Sequence, residues 1–156
     1  MVKKHTYAGL FMVTLATETY EILLTRIFSV TMWYHFAFMA ISIAMFGMTV
    51  GALIVYLFPI YFSEQRAKYH LALSSLFFSI ITILSFLAHL VIPFITNFSV
   101  LGLSTMGSNF AVISTPFIFS GISVCIALTK FPSHVSKLYA VDLAGAALGC
   151  IFVIYT

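Results

Sequence analysis

The first hydrophobic segment of the chain, residues 7–30, is long enough to cross a bilayer and yet carries three charged side chains, Glu18, Glu21 and Arg26. A charged side chain that faces lipid near the middle of a membrane costs about 2.5–3.5 kcal/mol on insertion scales. We therefore expect the other segments, or another protein, to shield this one. The segment favours a membrane bundle that is packed around a polar first helix.

The composition excludes an ordinary soluble domain. Hydrophobic residues make up 62% of the 156 residues and charged residues only 7%, whereas about a quarter of the residues in a soluble domain are charged. The mean hydropathy is +1.14. The net charge of +3 does not indicate a nucleic-acid partner, because the basic residues lie in short loops between apolar runs. We predict an all-α integral membrane protein with a single domain in the lipid bilayer.

The hydropathy of the chain predicts about five transmembrane helices. The predicted spans are residues 7–30, 33–58, 71–92, 110–128 and 138–156. Residues 94–109 have no charged side chain and are rich in Ser, Thr, Asn and Gly, which predicts an outer loop, either without regular structure or with a short interfacial helix. The last span is still apolar at Thr156, so the sequence leaves open whether the protein ends there or continues.

The basic residues predict the orientation of the bundle. If the N-terminus is cytoplasmic, six of the seven basic residues fall on the cytoplasmic side: Lys3, Lys4, Arg66, Lys68, Lys130 and Lys137. The predicted outer connections have none. The positive-inside rule requires this asymmetry. It predicts a multi-pass protein of the cell membrane with a cytoplasmic N-terminus.

Glu18 and Glu21 are the main candidates for a functional site. With Thr14 and Thr25 they follow the spacing i, i+4, i+7 and i+11, which is one face of a helix, and this face is predicted to point inward. Intramembrane carboxylates commonly mark paths for protons or cations. The alternative is a structural network in which threonine and tyrosine hydroxyls or Arg26 satisfy the two carboxylates.

The remaining candidate residues have simpler interpretations. Asp142 lies near the inner end of the fifth span, and we expect it to cap or orient that helix or to meet a neighbouring span. His35 and His89 fall near the outer ends of their spans and are minor candidates for a bis-histidine haem or metal site in a redox subunit. The sequence contains no zinc spacing, phosphate loop or catalytic triad pattern. We predict no catalytic residue and no cofactor.

Two GxxxG motifs predict close helix packing. Gly47 and Gly51 lie in the second span, and Gly145 and Gly149 lie in the fifth. At about 1.5 Å of rise per residue the two motifs reach a similar depth in the membrane. We therefore expect them to meet as antiparallel neighbours.

Two stretches of the chain together are similar to a known family. One is TYEILLTRIFSV at residues 19–30, followed by WYHFAF at 33–38, and the other is LYAVDLAGAALG at 138–149. Both resemble the N-terminal transmembrane region of membrane-bound spermidine-synthase-like proteins. The resemblance implies a helical membrane bundle, which that family pairs with a soluble Rossmann-type aminopropyltransferase or methyltransferase-like domain. It reaches only the membrane half, so the family's catalytic residues have no matching positions here.

Besides the redox subunit that would use His35 and His89, these observations lead to two functional hypotheses. The favoured one is a non-catalytic membrane-embedded helical module, acting as a small subunit of a larger membrane complex or as the membrane anchor half of a spermidine-synthase-like protein. Its expected partners are other membrane subunits or a soluble domain. The alternative is a transporter or channel-like element for protons or organic cations that uses Glu18 and Glu21.

Overall fold

The computed structural model describes residues 4–31, 35–91 and 100–155, and within these ranges the chain forms five long α-helices and no strand. The helices are α1 (Lys4–Thr31), α2 (His35–Leu57), α3 (Ala67–Val91), α4 (Val100–Thr129) and α5 (Val135–Tyr155). Short 3-10 turns, Glu64–Arg66 and Pro132–His134, lead into α3 and α5. The predicted all-α bundle is confirmed.

Four helical segments in the described part of the chain are long and apolar enough to cross a membrane. They are Ala37–Leu57, Ala67–Val91, Ser104–Thr129 and Pro132–Tyr155. The charged side chains of α1 lower its hydropathy, and it is not among the four. The chain is therefore a multi-pass membrane protein by the length and composition of these helices. That α1 also crosses the bilayer stays a prediction.

The polar stretch before the predicted fourth span is largely helical. The prediction of an outer loop is wrong for residues 100–109, which form the first turns of α4, while residues 94–99 lie outside the described ranges. The physical reason is that hydroxyl side chains can bond to carbonyl groups of the preceding turn. Thr105 Oγ1 donates to the Gly102 carbonyl at 2.9 Å, and Ser108 Oγ donates to the Ser104 carbonyl at 2.9 Å. A hydroxyl-rich stretch is thus compatible with a helix.

Helix α4 is the centre of the bundle. In its most apolar stretch 56% of the residues are buried, against 33% in α2 and 22% in α3 and α5. It packs mainly against α2 and α3, and α1 packs mainly against α5 and α2. The α1–α5 pair therefore lies beside a core that is formed by α2, α3 and α4.

The glycines of α2 allow it to approach α4 closely. A Cβ atom on Gly51 would overlap the carbonyl oxygen of Ile118, and a Cβ on Gly47 would lie 2.7 Å from the carbonyl oxygen of Ser114. Gly121 of α4 lies against the backbone of Met48 in the same way. The two helices run parallel, because the contacting residue numbers rise together. The GxxxG motif of α2 thus packs on α4.

The glycines of α5 pack on α1 instead. A Cβ on Gly145 would lie 2.8 Å from the Phe11 carbonyl oxygen, and a Cβ on Gly149 would lie 2.8 Å from the Leu15 carbonyl oxygen. The prediction that the two GxxxG motifs meet each other is therefore wrong. Each motif pairs with a different helix that runs parallel to its own, and α2 and α5 share no substantial contact. Similar depth in the membrane does not make two helices neighbours.

Helix directions place the basic residues together. Helix α4 runs antiparallel to α3, where Ser74 bonds to Ser123 near one end and His89 lies beside Asn109 near the other. Helix α1 also runs antiparallel to α4, because Thr17 contacts Ser120 and Tyr20 contacts Phe117. Helix α2 runs parallel to α4 and α5 runs parallel to α1. The basic end of the bundle therefore holds the following residues: Lys4, Arg66, Lys68, Lys130 and Lys137. Arg26 lies toward the opposite end, and Lys3 lies outside the described residues.

Candidate functional site

The buried face of α1 is not the face that carries its carboxylates. The side chains that point into the core follow helical spacing: Leu10, Val13, Thr14, Thr17, Tyr20, Leu24 and Phe28. Of the four residues that spacing predicts to point inward, Thr14 is buried, whereas Glu18, Glu21 and Thr25 are half-buried at the edge of this face. Five of these seven buried side chains are apolar, because dense packing in the core favours them.

Glu18, Glu21 and Asp142 lie along the contact between α1 and α5. Gly149 brings α5 so close that a Cβ atom at this position would lie 3.0 Å from the Cβ of Glu18. Asp142 is on the same face of α5 as Gly145 and Gly149, because the spacing is i, i+3 and i+7. Glu18 lies within electrostatic range of both Glu21 and Asp142. We call these three residues the carboxylate cluster.

Within the described ranges, no member of the carboxylate cluster forms a hydrogen bond or an ion pair through its side chain. The nearby threonines use their hydroxyls elsewhere: Thr14 donates to the Leu10 carbonyl and Thr25 donates to the Glu21 carbonyl. Arg26 is exposed. The hydroxyl network that was the structural alternative for Glu18 and Glu21 is therefore not formed by these side chains.

The carboxylate cluster does not have the geometry of a metal site. Among the described residues, no group of three His, Cys, Asp or Glu side chains is close enough to hold a metal ion. His89 packs its ring against Phe28 with centroids 5.2 Å apart, and its Nδ1 lies 3.2 Å from Asn109 Oδ1. The side chain of His35 lies outside the described part of the structure. The bis-histidine hypothesis therefore stays a prediction.

Sequence reasoning missed a second polar feature, which lies in the core between α1, α3 and α4. We call it the polar column. Its members pair across helices: His89 with Asn109, Thr17 with Ser120 at 2.6 Å, and Ser74 with Ser123 at 2.8 Å. Ser120 and Ser123 have no solvent exposure. Hydroxyl residues three or four positions apart in apolar segments were the available signal, because such residues share a helix face.

Pro116 explains one bond of the polar column. Proline has no backbone N–H, so it leaves the carbonyl group four residues earlier in its helix without its usual donor. That carbonyl belongs to Val112, and the Ser85 hydroxyl of α3 donates to it at 2.8 Å. Because an unpaired carbonyl is costly in the interior of a membrane protein, the serine satisfies a group that the proline would leave unpaired. The bond also ties α3 to α4.

Two buried polar atoms in this region lack a hydrogen-bond partner among the described residues. The Tyr20 hydroxyl and the Asn109 Nδ2 are buried and have no hydrogen-bond partner within the described residues. The Tyr20 ring stacks on the Phe117 ring, with centroids 5.5 Å apart. The Ser85 hydroxyl lies near the Tyr20 hydroxyl but does not form a hydrogen bond with it. The polar column contains no nucleophile paired with a base. Its bonds hold helices in register.

Comparison of the chain with protein-family models, with curated proteins and with solved structures finds no match in any of the three. The resemblance to spermidine-synthase-like proteins therefore rests on residues 19–38 and 138–149 alone.

Proposed function

We propose that this protein is a non-catalytic membrane-embedded helical module that works inside a larger membrane assembly. It acts either as a small subunit of a membrane complex or as the membrane anchor half of a spermidine-synthase-like protein. The observation that carries the proposal is the carboxylate cluster. Its three acidic side chains are half-buried on the outer helix pair, and among the described residues none of them has a hydrogen-bond or ion-pair partner.

A cationic neighbour would stabilise an acidic cluster in this position. A charged side chain inside a bilayer normally faces a bundle interior, a water-filled cavity or a charge of opposite sign. The cluster lies at the edge of the α1–α5 contact and not in the core of the bundle. A lysine or arginine from another membrane helix, placed against Glu18 and Glu21, would offset the cost of these charges. The α1–α5 pair is therefore the proposed assembly face.

The anchor version of the proposal draws on where the two similar stretches lie. Residues 19–30 are in α1 and residues 138–149 are in α5, and these two helices pack together. Gly149 lies at their contact, where a Cβ atom would be 3.4 Å from Thr19 Oγ1. The two stretches thus belong to one packing unit. In this version a soluble domain belongs to the same polypeptide.

The proposal places the protein in the cell membrane with its basic end in the cytoplasm. The support is that all described basic residues except Arg26 lie at one end of the bundle, which is the asymmetry that the positive-inside rule describes.

Native and denaturing mass spectrometry of protein extracted gently from its own membranes tests the proposal. A denaturing mass above 17.3 kDa is expected for the anchor version, and a native mass above the denaturing mass is expected for the subunit version. We expect the double variant Glu18→Gln, Glu21→Gln to release a partner subunit from the complex, because it removes the charges that the partner neutralises.

Arg26→Gln is the matched control for that experiment. It also neutralises a charge on α1, but Arg26 is exposed and lies away from the cluster, so the complex should keep its native mass. A lone chain of 17.3 kDa in both measurements would contradict the proposal. Equal complex masses for the wild type and the double glutamine variant would contradict the assignment of the assembly face.

The second candidate function is a path for protons or organic cations. The observation that favours it is that Glu18, near the middle of α1, lies within electrostatic range of Glu21 on the same helix and of Asp142 on α5, since intramembrane carboxylates commonly mark paths for protons and cations. Proton flux into liposomes that contain the purified protein measures it. We expect Glu18→Gln together with Glu21→Gln to abolish flux if this candidate holds, and Arg26→Gln to leave it unchanged. Flux that is equal in all variants rejects this function.

A further inference from the structure

A cleft of about 250 Å³ opens between the first turns of α1 and α3. His5 and Lys68 line it near the basic end of the bundle, and Leu10 and Leu71 line it further along the two helices. Ser123 of α4, which has no solvent exposure, lines its inner part. The lining therefore changes from a mouth that carries the Lys68 cation to a mainly apolar inner part that ends at Ser123.

This gradient is that of a site for an amphipathic anion. A negative head group gains electrostatic attraction from Lys68 and accepts a hydrogen bond from the His5 ring, and an apolar segment beside Leu10 and Leu71 avoids polar surroundings. Basic pockets between transmembrane helices at the cytoplasmic side are typical sites for anionic lipid head groups. A soluble anion without a tail would leave the apolar part of the lining unused.

The size of the cleft limits what can enter it. Pockets for drug-sized ligands have volumes of about 300–1,000 Å³, so a cleft of about 250 Å³ accepts only part of a lipid. The first segment of one acyl chain fits this limit, while the head group stays at the mouth and the rest of the lipid remains in the bilayer.

Gly9 leaves the cleft open. Gly9 is a lining residue, and a Cβ atom built on it would meet no atom within 4 Å. This differs from Gly51 and Gly145, where a neighbouring helix occupies the space of a side chain. A larger residue at position 9 would therefore project into empty space without displacing a helix.

We propose that this cleft binds one anionic phospholipid, with the head group at His5 and Lys68 and the start of an acyl chain along Gly9, Leu10 and Leu71. The site is separate from the carboxylate cluster, which lies on the α1–α5 contact. It does not depend on either version of the proposed function.

Lipid retention by the purified protein tests the site. The protein is reconstituted in vesicles that contain equal amounts of dioleoyl phosphatidylglycerol and dioleoyl phosphatidylcholine, and retained lipids are counted by native mass spectrometry after mild extraction. We expect about a tenfold preference for the anionic lipid, since each basic residue near a membrane surface attracts anionic lipid and a tenfold preference corresponds to one or two such contacts. Equal retention of the two lipids overturns the proposal.

Variants that fill the cleft locate the site. Gly9→Leu, and Ala72→Leu from the opposite wall, should each lower the preference for phosphatidylglycerol over phosphatidylcholine to about one. Gly107→Leu is the control and should keep the tenfold preference. Gly107 also has open space around it but lies outside the cleft. An unfolding midpoint equal to that of the wild type shows that a variant is folded. If one of the two leucine variants does not fold, the other still tests the site. A preserved preference in both folded variants overturns the proposal.

Two further measurements identify the ligand chemistry. Lys68→Gln should lower the preference several-fold while leaving the retention of phosphatidylcholine unchanged; an unchanged preference contradicts the assigned head-group position. Inorganic phosphate added to vesicles of pure phosphatidylcholine should not bind. If it binds, and competes with phosphatidylglycerol at similar concentration, the site belongs to a soluble anion and the lipid assignment is overturned.

Discussion

Replacing Gly51 by alanine is expected to lower the free energy of unfolding by about 3 kcal/mol, at the upper end of the usual cost of overpacking. The added Cβ would overlap the Ile118 carbonyl oxygen and lie 2.8 Å from the Ile122 nitrogen. Both are backbone atoms of α4, so no side-chain rotation can relieve the contact and the two helices must separate. Separation also weakens the contacts of Gly47 and Gly121 at the same crossing.

Equilibrium unfolding in mixed micelles of a mild detergent and sodium dodecyl sulfate measures this loss. Gly107→Ala is the matched control, because it makes the same chemical change in a helix where the new Cβ meets nothing within 4 Å. The control should be unchanged or more stable by about 0.5–1 kcal/mol, since alanine is the better helix former. A loss below about 1 kcal/mol for Gly51→Ala would show that α2 and α4 do not pack as described.

Replacing Ser85 by alanine is expected to cost about 2 kcal/mol, within the range for a buried polar group that loses its partner. The Ser85 hydroxyl donates to the Val112 carbonyl at 2.8 Å, and Pro116 removes the backbone donor that this carbonyl would otherwise have. The variant therefore leaves the carbonyl unpaired in the interior of the bundle. Ser108→Ala is the control, because Ser108 is exposed and bonds only within its own helix.

A double-mutant cycle separates this explanation from a simple loss of packing. Pro116→Ala restores the backbone N–H that can bond to the Val112 carbonyl. In that background Ser85→Ala should cost about 1 kcal/mol less than in the wild type, which is a coupling of the size seen for residues in one hydrogen-bond network. Equal costs in the two backgrounds would falsify the link between the proline and the serine.

The sequence predicted the helices well but predicted their faces poorly. Long apolar runs that end at prolines or charged residues indicate helices whatever the helices pack against. The face of α1 that is buried could not be found in the same way. In a soluble helix the apolar stripe marks the core, but a membrane helix is apolar toward lipid as well as toward its neighbours. The spacing of Glu18 and Glu21 therefore identified one face without showing where that face points.

For the candidate site too, the sequence predicted some features and missed others. The sequence drew attention to Glu18, Glu21 and Asp142 because charges in apolar segments are conspicuous. It did not draw attention to Ser74, Ser120 or Ser123 of the polar column, because single hydroxyl residues are common in membrane helices and carry no sign of their partners. Bonds between residues that are far apart in the chain, such as Thr17 and Ser120, become visible only when the helices are assembled.

By itself the sequence determined the class of this protein, the number of long helices in the described part of the chain and the clustering of its basic residues, since hydropathy and charge are local properties of the chain. Only the tertiary structure decided which helices touch. It paired Gly51 with α4 and Gly149 with α1, and it left the carboxylate cluster at an edge. The reason is that close packing depends on the shapes of two surfaces at once, and a sequence pattern describes only one of them.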